Sequence, residues 1–219
     1  ADFRGADHAC SRCFDECLQR YLRFVSHNGH RPSSPHDRSP PPDGWGAVEG
    51  SQTLVDITFW GVRGSTPCPC DANRRYGGNT SCVTLEAPGM DPVVFDLGTG
   101  LRFYGESLQG AAEPFRALAL VTHMHWDHVQ GLPFFTPLHH PVASLEVHGR
   151  SEGCSIDTAF RTFMCPPFFP VGPDELAGHI TFHDLVDAEL TWGRARITAA
   201  DVPHTGPTNG YRVEIDGLV

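Results

Sequence analysis

Three histidines and an aspartate lie within six positions of one another in this sequence: His123, His125, Asp127 and His128. Imidazole nitrogens and carboxylate oxygens are common ligands of transition metals. Side chains two positions apart in an extended loop point to the same side, so His123 and His125 can meet at one ion. Asp127 and His128 lie just beyond and can offer an oxygen and a nitrogen to a second ion. We therefore favour metal binding over a surface loop that is merely rich in histidine.

The element that must position this cluster is the apolar run directly before it, residues 117–121. Such a run is typical of a strand that is buried on both faces. The cluster would then follow the carboxyl end of that strand, where open α/β sheets place their ligands. His204 has a similar context, because the strand predicted over 195–202 gives way there to a loop rich in proline and glycine. His204 is therefore the remaining candidate ligand.

Other residues that could bind a metal are better explained by structural roles. His183 lies in an alternating strand and His179 just precedes it, so we expect both to be structural. Cys68 and Cys70 flank a proline, and two isolated thiols in such a loop are more often incidental. Asp96 lies between a strand and a glycine turn, where a carboxylate finds backbone amides at once, so we favour a capping role over metal ligation.

Hydrophobic periodicity predicts a domain of mixed helices and strands. Alternating or continuous apolar residues predict nine strands, and two short segments have helical character. The strands are expected over 55–59, 81–86, 93–96, 117–121, 145–148, 180–183, 189–192, 195–202 and 211–215, and the helices over 101–108 and 157–164.

The composition limits the classes of partner. With 219 residues and a formal charge of −10, the chain is not suited to broad electrostatic binding of nucleic acid or of an anionic membrane. A small anionic substrate remains compatible, because bound divalent metals reverse the local sign of charge. The sequence shows no signal peptide and no apolar run near the roughly 20 residues that span a bilayer. Eight scattered cysteines favour free thiols in a reducing cytoplasm.

Residues 1–52 differ in character from residues 53–219. The first part contains Cys10, Cys13 and Cys17 on a weakly amphipathic segment, followed by a linker rich in proline over 28–52. Such a segment buries too little apolar surface to offset its ordering entropy, so we expect it to be largely disordered. The sequence stops where a return strand should begin after residue 217, which suggests a fragment of a longer protein.

The pattern HxHxDH at 123–128 resembles the signature of the metallo-β-lactamase superfamily of metal-dependent hydrolases. The resemblance covers residues 53–219, and the flanking segments are similar to one branch of that family. The branch includes tRNA 3′-processing endonucleases, cyclic-nucleotide phosphodiesterases and phosphoribosyl cyclic phosphodiesterases. The segments are FWGVRGSTP at 59–67, GGNTSC at 77–82, DLGTG at 96–100, HWDH at 125–128 and GLPFF at 131–135.

This resemblance implies an α+β fold, an αββα sandwich with metals between the edges of two sheets, truncated here at its C-terminal side. It implies that His123, His125 and His204 hold a first divalent ion, and that Asp127 and His128 begin a second site. In the family a bridging aspartate and a further histidine come later in the chain. Neither has a counterpart before Val219, so the second site is expected to be incomplete.

The resemblance also implies the chemistry, hydrolysis of a phosphodiester by a hydroxide that bridges two ions roughly 3.5–4 Å apart. Zinc is the first expectation, and manganese or iron would also suit mixed nitrogen and oxygen ligands. Asp127 could orient that hydroxide as well as bind metal, and Arg63 and Asn79 are candidate substrate-binding residues. The expected substrate is a small phosphodiester or a nucleotide, whereas extended nucleic acid is unexpected from the net charge.

Two alternatives stay open at this point. The same metals could hydrolyse a thioester, a lactone or a β-lactam, because a fold does not determine its substrate. The chain could also be a non-catalytic metal-binding module. The flanking segments, rather than the metal motif, favour the phosphodiesterase, and a homo-oligomer is compatible with each alternative. The missing ligands lead us to expect impaired activity for these 219 residues alone.

Overall fold

The computed structural model describes residues 55–111 and 114–219. These residues belong to one structural unit, Thr53–Val219. The predictions for the cysteine-bearing segment and the proline-rich linker of residues 1–52 lie outside the described residues.

Six strands form the larger sheet, in the order β1-β2-β3-β4-β5-β6. The first three strands pair antiparallel, whereas β3, β4, β5 and β6 run parallel to one another. The carboxyl ends of these parallel strands therefore meet at one edge of the sheet. The strands are β1 (Asp56–Gly61), β2 (Cys82–Glu86), β3 (Val93–Phe95), β4 (Arg116–Leu120), β5 (Ser144–Gly149) and β6 (His179–Asp184).

A second, antiparallel sheet follows in the order β7-β8-β9. Its strands are β7 (Glu189–Trp192), β8 (Ala195–Asp201) and β9 (Asn209–Ile215). The helices are α1 (Gly100–Ser107), α2 (Trp126–Val129) and α3 (Ile156–Phe163). Short 3₁₀ helices cover Asp71–Asn73, Leu132–Phe134, Thr136–His139 and Pro173–Glu175. No helix among the residues described is long and apolar enough to cross a membrane.

The two faces of β4 contact two different cores. Ala117 and Ala119 pack with residues of α1 and α3, whereas Leu118 and Leu120 pack with residues of β8 and β9. The helices, the larger sheet and the smaller sheet therefore form successive layers. This arrangement confirms the prediction of a mixed α/β fold and of a central strand that is buried on both faces.

The predicted strands and both predicted helices are present, within a few residues of their expected ends. One difference concerns the segment after β4, which we expected to be an extended loop. The chain is extended at His125 and then turns into α2 at Trp126. Asp127 and His128 therefore lie on the first turn of a helix.

Contacts between the two sheets bring the loop after β8 to the carboxyl end of β4. The backbone amide of Asn209 donates to the carbonyl oxygen of Thr122 at 2.8 Å. The hydroxyl of Tyr211 donates to the carbonyl oxygen of Val121 at 2.7 Å. Both donors belong to β9, so His204, in the connection from β8 to β9, is held near the residues that follow β4.

Gly98, in the turn from β3 to α1, lies against the backbone of α2. A Cβ atom at this position would overlap the carbonyl oxygen of Asp127 and lie 2.6 Å from that of Ser81. Backbone atoms cannot rotate away as a flexible side chain can. The turn can approach α2 this closely because the residue is glycine.

We expect Gly98→Ala to lower the free energy of unfolding by about 1–3 kcal/mol, the usual cost of overpacking. Gly64→Ala is the matched control, because a Cβ atom there would meet nothing within 4 Å, and its effect should stay within about 0.5 kcal/mol. Urea unfolding in the presence of a chelator measures both values. Equal stabilities for the two variants would contradict the proposed close contact.

Candidate metal centre

His123, His125 and His204 converge on one point. Their potential ligand atoms all lie within 4.8 Å of one another, and the Nε2 atoms of His123 and His204 are 3.2 Å apart. Two nitrogens that each lie about 2.0–2.1 Å from a tetrahedral zinc ion would be about 3.3 Å apart. The donor set and its spacing therefore fit a transition-metal ion.

Burial differs among the three imidazoles. His123 is 6% exposed, whereas His125 and His204 are exposed. Burial, together with the nearby charge of His128, lowers the pKa of His123 to about 3. His123 is thus neutral at physiological pH, which is the form that binds metals. The cluster is closed on the side of His123 and open to solvent on the side of the other two rings.

Asp96, at the carboxyl end of β3, is buried and accepts hydrogen bonds from three residues. Its Oδ1 accepts from the amide and the hydroxyl of Thr122 at 2.8 and 2.9 Å. Its Oδ2 accepts from the Ser81 hydroxyl at 2.9 Å and lies 2.7 Å from Nδ1 of His128. The backbone of Asp96 has a positive φ of 59°. The backbone amide that Asp96 binds is that of Thr122, and the amides of the glycine turn, where capping was expected, donate to other residues. Asp96 also orients His128.

The other ring nitrogen of His128 faces Asp127. The Nε2 atom of His128 lies 3.4 Å from Oδ2 of Asp127, and the same oxygen accepts the backbone amide of Ser65 at 2.7 Å. Burial raises the pKa of the Asp127 carboxyl, but the hydrogen bond and the charge of His128 outweigh burial and hold that pKa below its usual range. Asp127 is therefore ionised and fixed in position.

Burial opposes protonation of His128, yet the charge of Asp96 and the hydrogen bonds of both aspartates raise the pKa of His128 to about 10. In the metal-free chain His128 is thus a cation between two carboxylates. A metal ion bound to Nε2 would compete with this proton for the same position. The arrangement can hold either a proton or an ion between His128 and Asp127.

Arg63 and Asn79 lie in neighbouring loops and contact each other. The amide of Arg63 donates to the carbonyl oxygen of Asn79 at 2.9 Å, and the guanidinium of Arg63 donates to the Asn73 side chain at 3.4 Å. The Asn79 side chain accepts from the hydroxyl of Thr99 at 3.4 Å. These contacts organise the loop that also contains Ser65. The substrate-binding role of both residues stays a prediction.

Sequence reasoning missed the contributions of Ser65, Ser81 and Thr122. Thr122 could have been considered, because it directly precedes His123 and carries a hydroxyl group. Ser65 contributes its backbone amide, which every residue except proline has. The sequence therefore contains no local signal for the contact of Ser65 with Asp127.

Two kinds of comparison relate the chain to known proteins, and no family model matches it. It is 24% identical over 170 residues to ribonuclease Z of Prochlorococcus marinus strain MIT 9301. This match covers 73% of this chain and 49% of the relative. Ribonuclease Z of strain MIT 9215 has the same identity over 164 residues. The chain spans about half the length of the curated relatives it matches.

Among solved structures, the chain is similar to a diphosphatase from the PhnP family. The TM-score is 0.52 at 17% identity, and the match covers 73% of this chain and 62% of that one. YhfI of Bacillus subtilis, a metallo-β-lactamase fold protein, gives a TM-score of 0.48 at 18% identity, over 74% of this chain and 59% of that one. The chain has the metallo-β-lactamase fold. The ribonuclease Z relatives agree with the branch that the sequence resembles.

In this metallo-β-lactamase fold the histidine centre lies at the carboxyl ends of the parallel strands. His123 and His125 follow β4, and His204 follows β8. The structure thus brings together five predicted site residues, since Asp127 and His128 lie beside the three converging imidazoles, with the rings of His123 and His128 4.1 Å apart. Their role as metal ligands stays a prediction.

We expect Asp96→Asn to lower the free energy of unfolding of the metal-free chain by about 3–5 kcal/mol at pH 6, because it removes the nearer and more deeply buried of the two carboxylates that pair with His128. The folded-state pKa of His128 lies above the unfolded value of 6.5. The stabilisation of the folded state by protonated His128 is therefore complete below pH 6.5 and is lost as the pH rises through about 10. The effect of the substitution should consequently be smaller at pH 9.5 than at pH 6.

Asp91→Asn is the control, because Asp91 pairs with Arg116 at 3.5 Å on the surface and should contribute less than about 1 kcal/mol. Urea unfolding at the two pH values, with a chelator present, measures each effect. A cost for Asp96→Asn that grows between pH 6 and pH 9.5 would contradict the protonated state assigned to His128.

Proposed function

We propose that this protein is a metal-dependent hydrolase that cleaves phosphodiester bonds. The observation that carries the proposal is the convergence of imidazoles from two distant segments, His123 with His125 and His204, with all ligand atoms within 4.8 Å. Histidines 81 positions apart in the chain reach this geometry through the packing of two sheets. Such a cluster at a sheet edge is typical of a metal site in a hydrolase.

In this proposal His123, His125 and His204 hold one divalent ion, and Asp127 and His128 supply ligands toward a second. Zinc is the expected metal, and manganese or iron would also suit these ligands. When bound, such ions acidify a water molecule and stabilise the negative charge that develops on phosphorus oxygens. Asp127, fixed by the amide of Ser65, can accept a hydrogen bond from the attacking water and orient it.

Several observations favour a phosphodiester over other substrates. The names of two similar proteins, a ribonuclease and a diphosphatase, both describe cleavage at phosphorus–oxygen bonds. Arg63, near the loop that contacts Asp127, has the guanidinium geometry that suits a phosphate group. The ribonuclease Z relatives also make RNA a substrate to be tested, although the net charge of −10 favours a small nucleotide-like substrate.

An aromatic surface lies next to the histidine centre. Trp126 is 55% exposed, between His125 and Asp127 in the sequence, and its ring contacts Phe163 with centroids 5.4 Å apart. Phe134, 56% exposed, contacts Phe169 with ring centroids 5.7 Å apart. Exposed rings beside a catalytic centre can stack on the base of a nucleotide.

Metal binding provides the first test. We expect the protein to bind Zn²⁺, and we expect His123→Ala and His204→Ala each to weaken that binding by more than about 100-fold, beyond the loss usual for an outer-shell partner. His139→Ala is the control, since His139 is an exposed residue of the 3₁₀ helix Thr136–His139. Isothermal titration gives the affinities. Undiminished affinity in both variants would refute the proposed centre.

Hydrolysis provides the second test. The Zn²⁺- or Mn²⁺-loaded protein is compared on bis(p-nitrophenyl) phosphate, a cyclic nucleotide, a short RNA, a thioester and a β-lactam. We expect turnover of phosphodiesters, lost in His123→Ala and retained in His139→Ala. Turnover of only the thioester or the β-lactam would overturn the phosphodiesterase. One tightly bound ion with no turnover of any substrate would instead indicate a non-catalytic module.

Trp126→Ala tests the stacking surface. If the ring stacks on a base, KM for a cyclic nucleotide should rise about tenfold, equivalent to roughly 1.4 kcal/mol and within the range for stacking on an aromatic side chain. The rate on bis(p-nitrophenyl) phosphate at saturation should change little. Phe103→Ala removes another exposed ring, 44% exposed on α1, and is the control. An unchanged KM in Trp126→Ala would exclude this contact.

A further inference from the structure

A second group of potential metal ligands lies on strands β5 and β6, separate from the histidine centre. Glu146 and His148 are two positions apart on β5 and therefore project from the same face of the sheet. His183 of β6 is paired directly with His148 in the parallel register. The potential ligand atoms of the three residues all lie within 4.8 Å of one another.

The distances suit a shared ion better than a hydrogen bond. The Nε2 atom of His148 lies 3.7 Å from Oε2 of Glu146, which is too far for a hydrogen bond. Two ligand atoms that each lie about 2.0–2.2 Å from one tetrahedral zinc ion are about 3.3–3.6 Å apart, which is close to the separation seen here. The rings of His148 and His183 are stacked, with centroids 4.6 Å apart and an interplanar angle of 27°. The parallel register therefore places both imidazoles side by side.

Two buried polar atoms near Glu146 and His183 lack hydrogen-bond partners in the part of the chain that the structure describes. Nε2 of His148 is buried without a hydrogen bond, and so is the hydroxyl of Thr181, which is paired with Glu146 in the register. A buried polar atom that is left without a hydrogen bond has lost its contact with water and gained no partner in return, which is unfavourable. A ligand that accepts the lone pair of His148 would remove that cost.

The electrostatic state of the group also suits a cation. Burial is the largest cause, and the adjacent charge of His183 the second, of a lowered pKa at His148. Glu146 supplies a negative charge, and its side chain is 46% exposed whereas that of His148 is 17% exposed. His183 is exposed. An ion can therefore enter from solvent and contact a partly buried nitrogen.

We propose that Glu146, His148 and His183 form a second binding site for a divalent transition-metal ion, of which zinc is the type that two imidazoles and a carboxylate suit. With three protein ligands, the fourth position would be open to water. Since β6 is one of the two edge strands of the larger sheet, the ion would link this edge strand to β5. The site differs from the proposed catalytic centre in every ligand and does not depend on the proposed function.

The test uses Zn²⁺ and two matched variants of β6. His183→Ala removes an exposed ligand, whereas His179→Ala removes an exposed histidine of the same strand that lies outside the group. We expect bound zinc per chain to fall by one equivalent in His183→Ala and to stay unchanged in His179→Ala. In the His123→Ala background, His183→Ala should remove a further equivalent. Elemental analysis after dialysis and isothermal titration measure these values.

A measurement on the unmodified protein keeps the test independent of variant stability. Diethyl pyrocarbonate labels accessible histidines, and mass spectrometry reads each site. We expect Zn²⁺ to slow labelling of His183 at least tenfold and to leave His179 unchanged. Equal zinc content in His183→Ala and the unmodified protein, or labelling of His183 that Zn²⁺ does not slow, would overturn the site.

Discussion

The buried carboxylate of Asp96 is the contact on which the arrangement of the histidine centre depends. Its two oxygens contact Ser81, directly before β2, and both Thr122 and His128 of the segment that follows β4. A buried charge with this many partners is costly to disturb, because each broken hydrogen bond leaves an unpaired polar group. Asp96 therefore fixes both the start of the motif, through Thr122, and its end, through His128.

The centre also requires both sheets. The motif after β4 supplies His123 and His125, while His204 comes from the connection between β8 and β9. The hydrogen bonds from Asn209 and Tyr211 of β9 to the carboxyl end of β4 join the two sources. A change that separates the sheets would consequently disperse the ligands even if each strand remained intact.

The two histidine groups use the same property of parallel strands in different ways. Side chains that are level with one another on adjacent strands project from the same face, which places His183 beside His148. The loops that follow such strands meet at the same edge, which places the motif beside Asp96. In both places imidazoles lie close together, and burial lowers the pKa of one of them, His123 in the first group and His148 in the second. Neutral imidazoles are the form that metals bind.

The sequence by itself determined the strand over 117–121, the mixed α/β class of the fold and the candidate ligands His123, His125 and His204, because apolar periodicity and clustered imidazoles are local signals. The division at residue 52 stays a prediction. Only the tertiary structure decided that Asp96 orients His128, 32 positions away. It also decided that His183, which the sequence suggested was merely structural, lies beside His148. These contacts follow from strand order and register, which local patterns in one sequence do not encode.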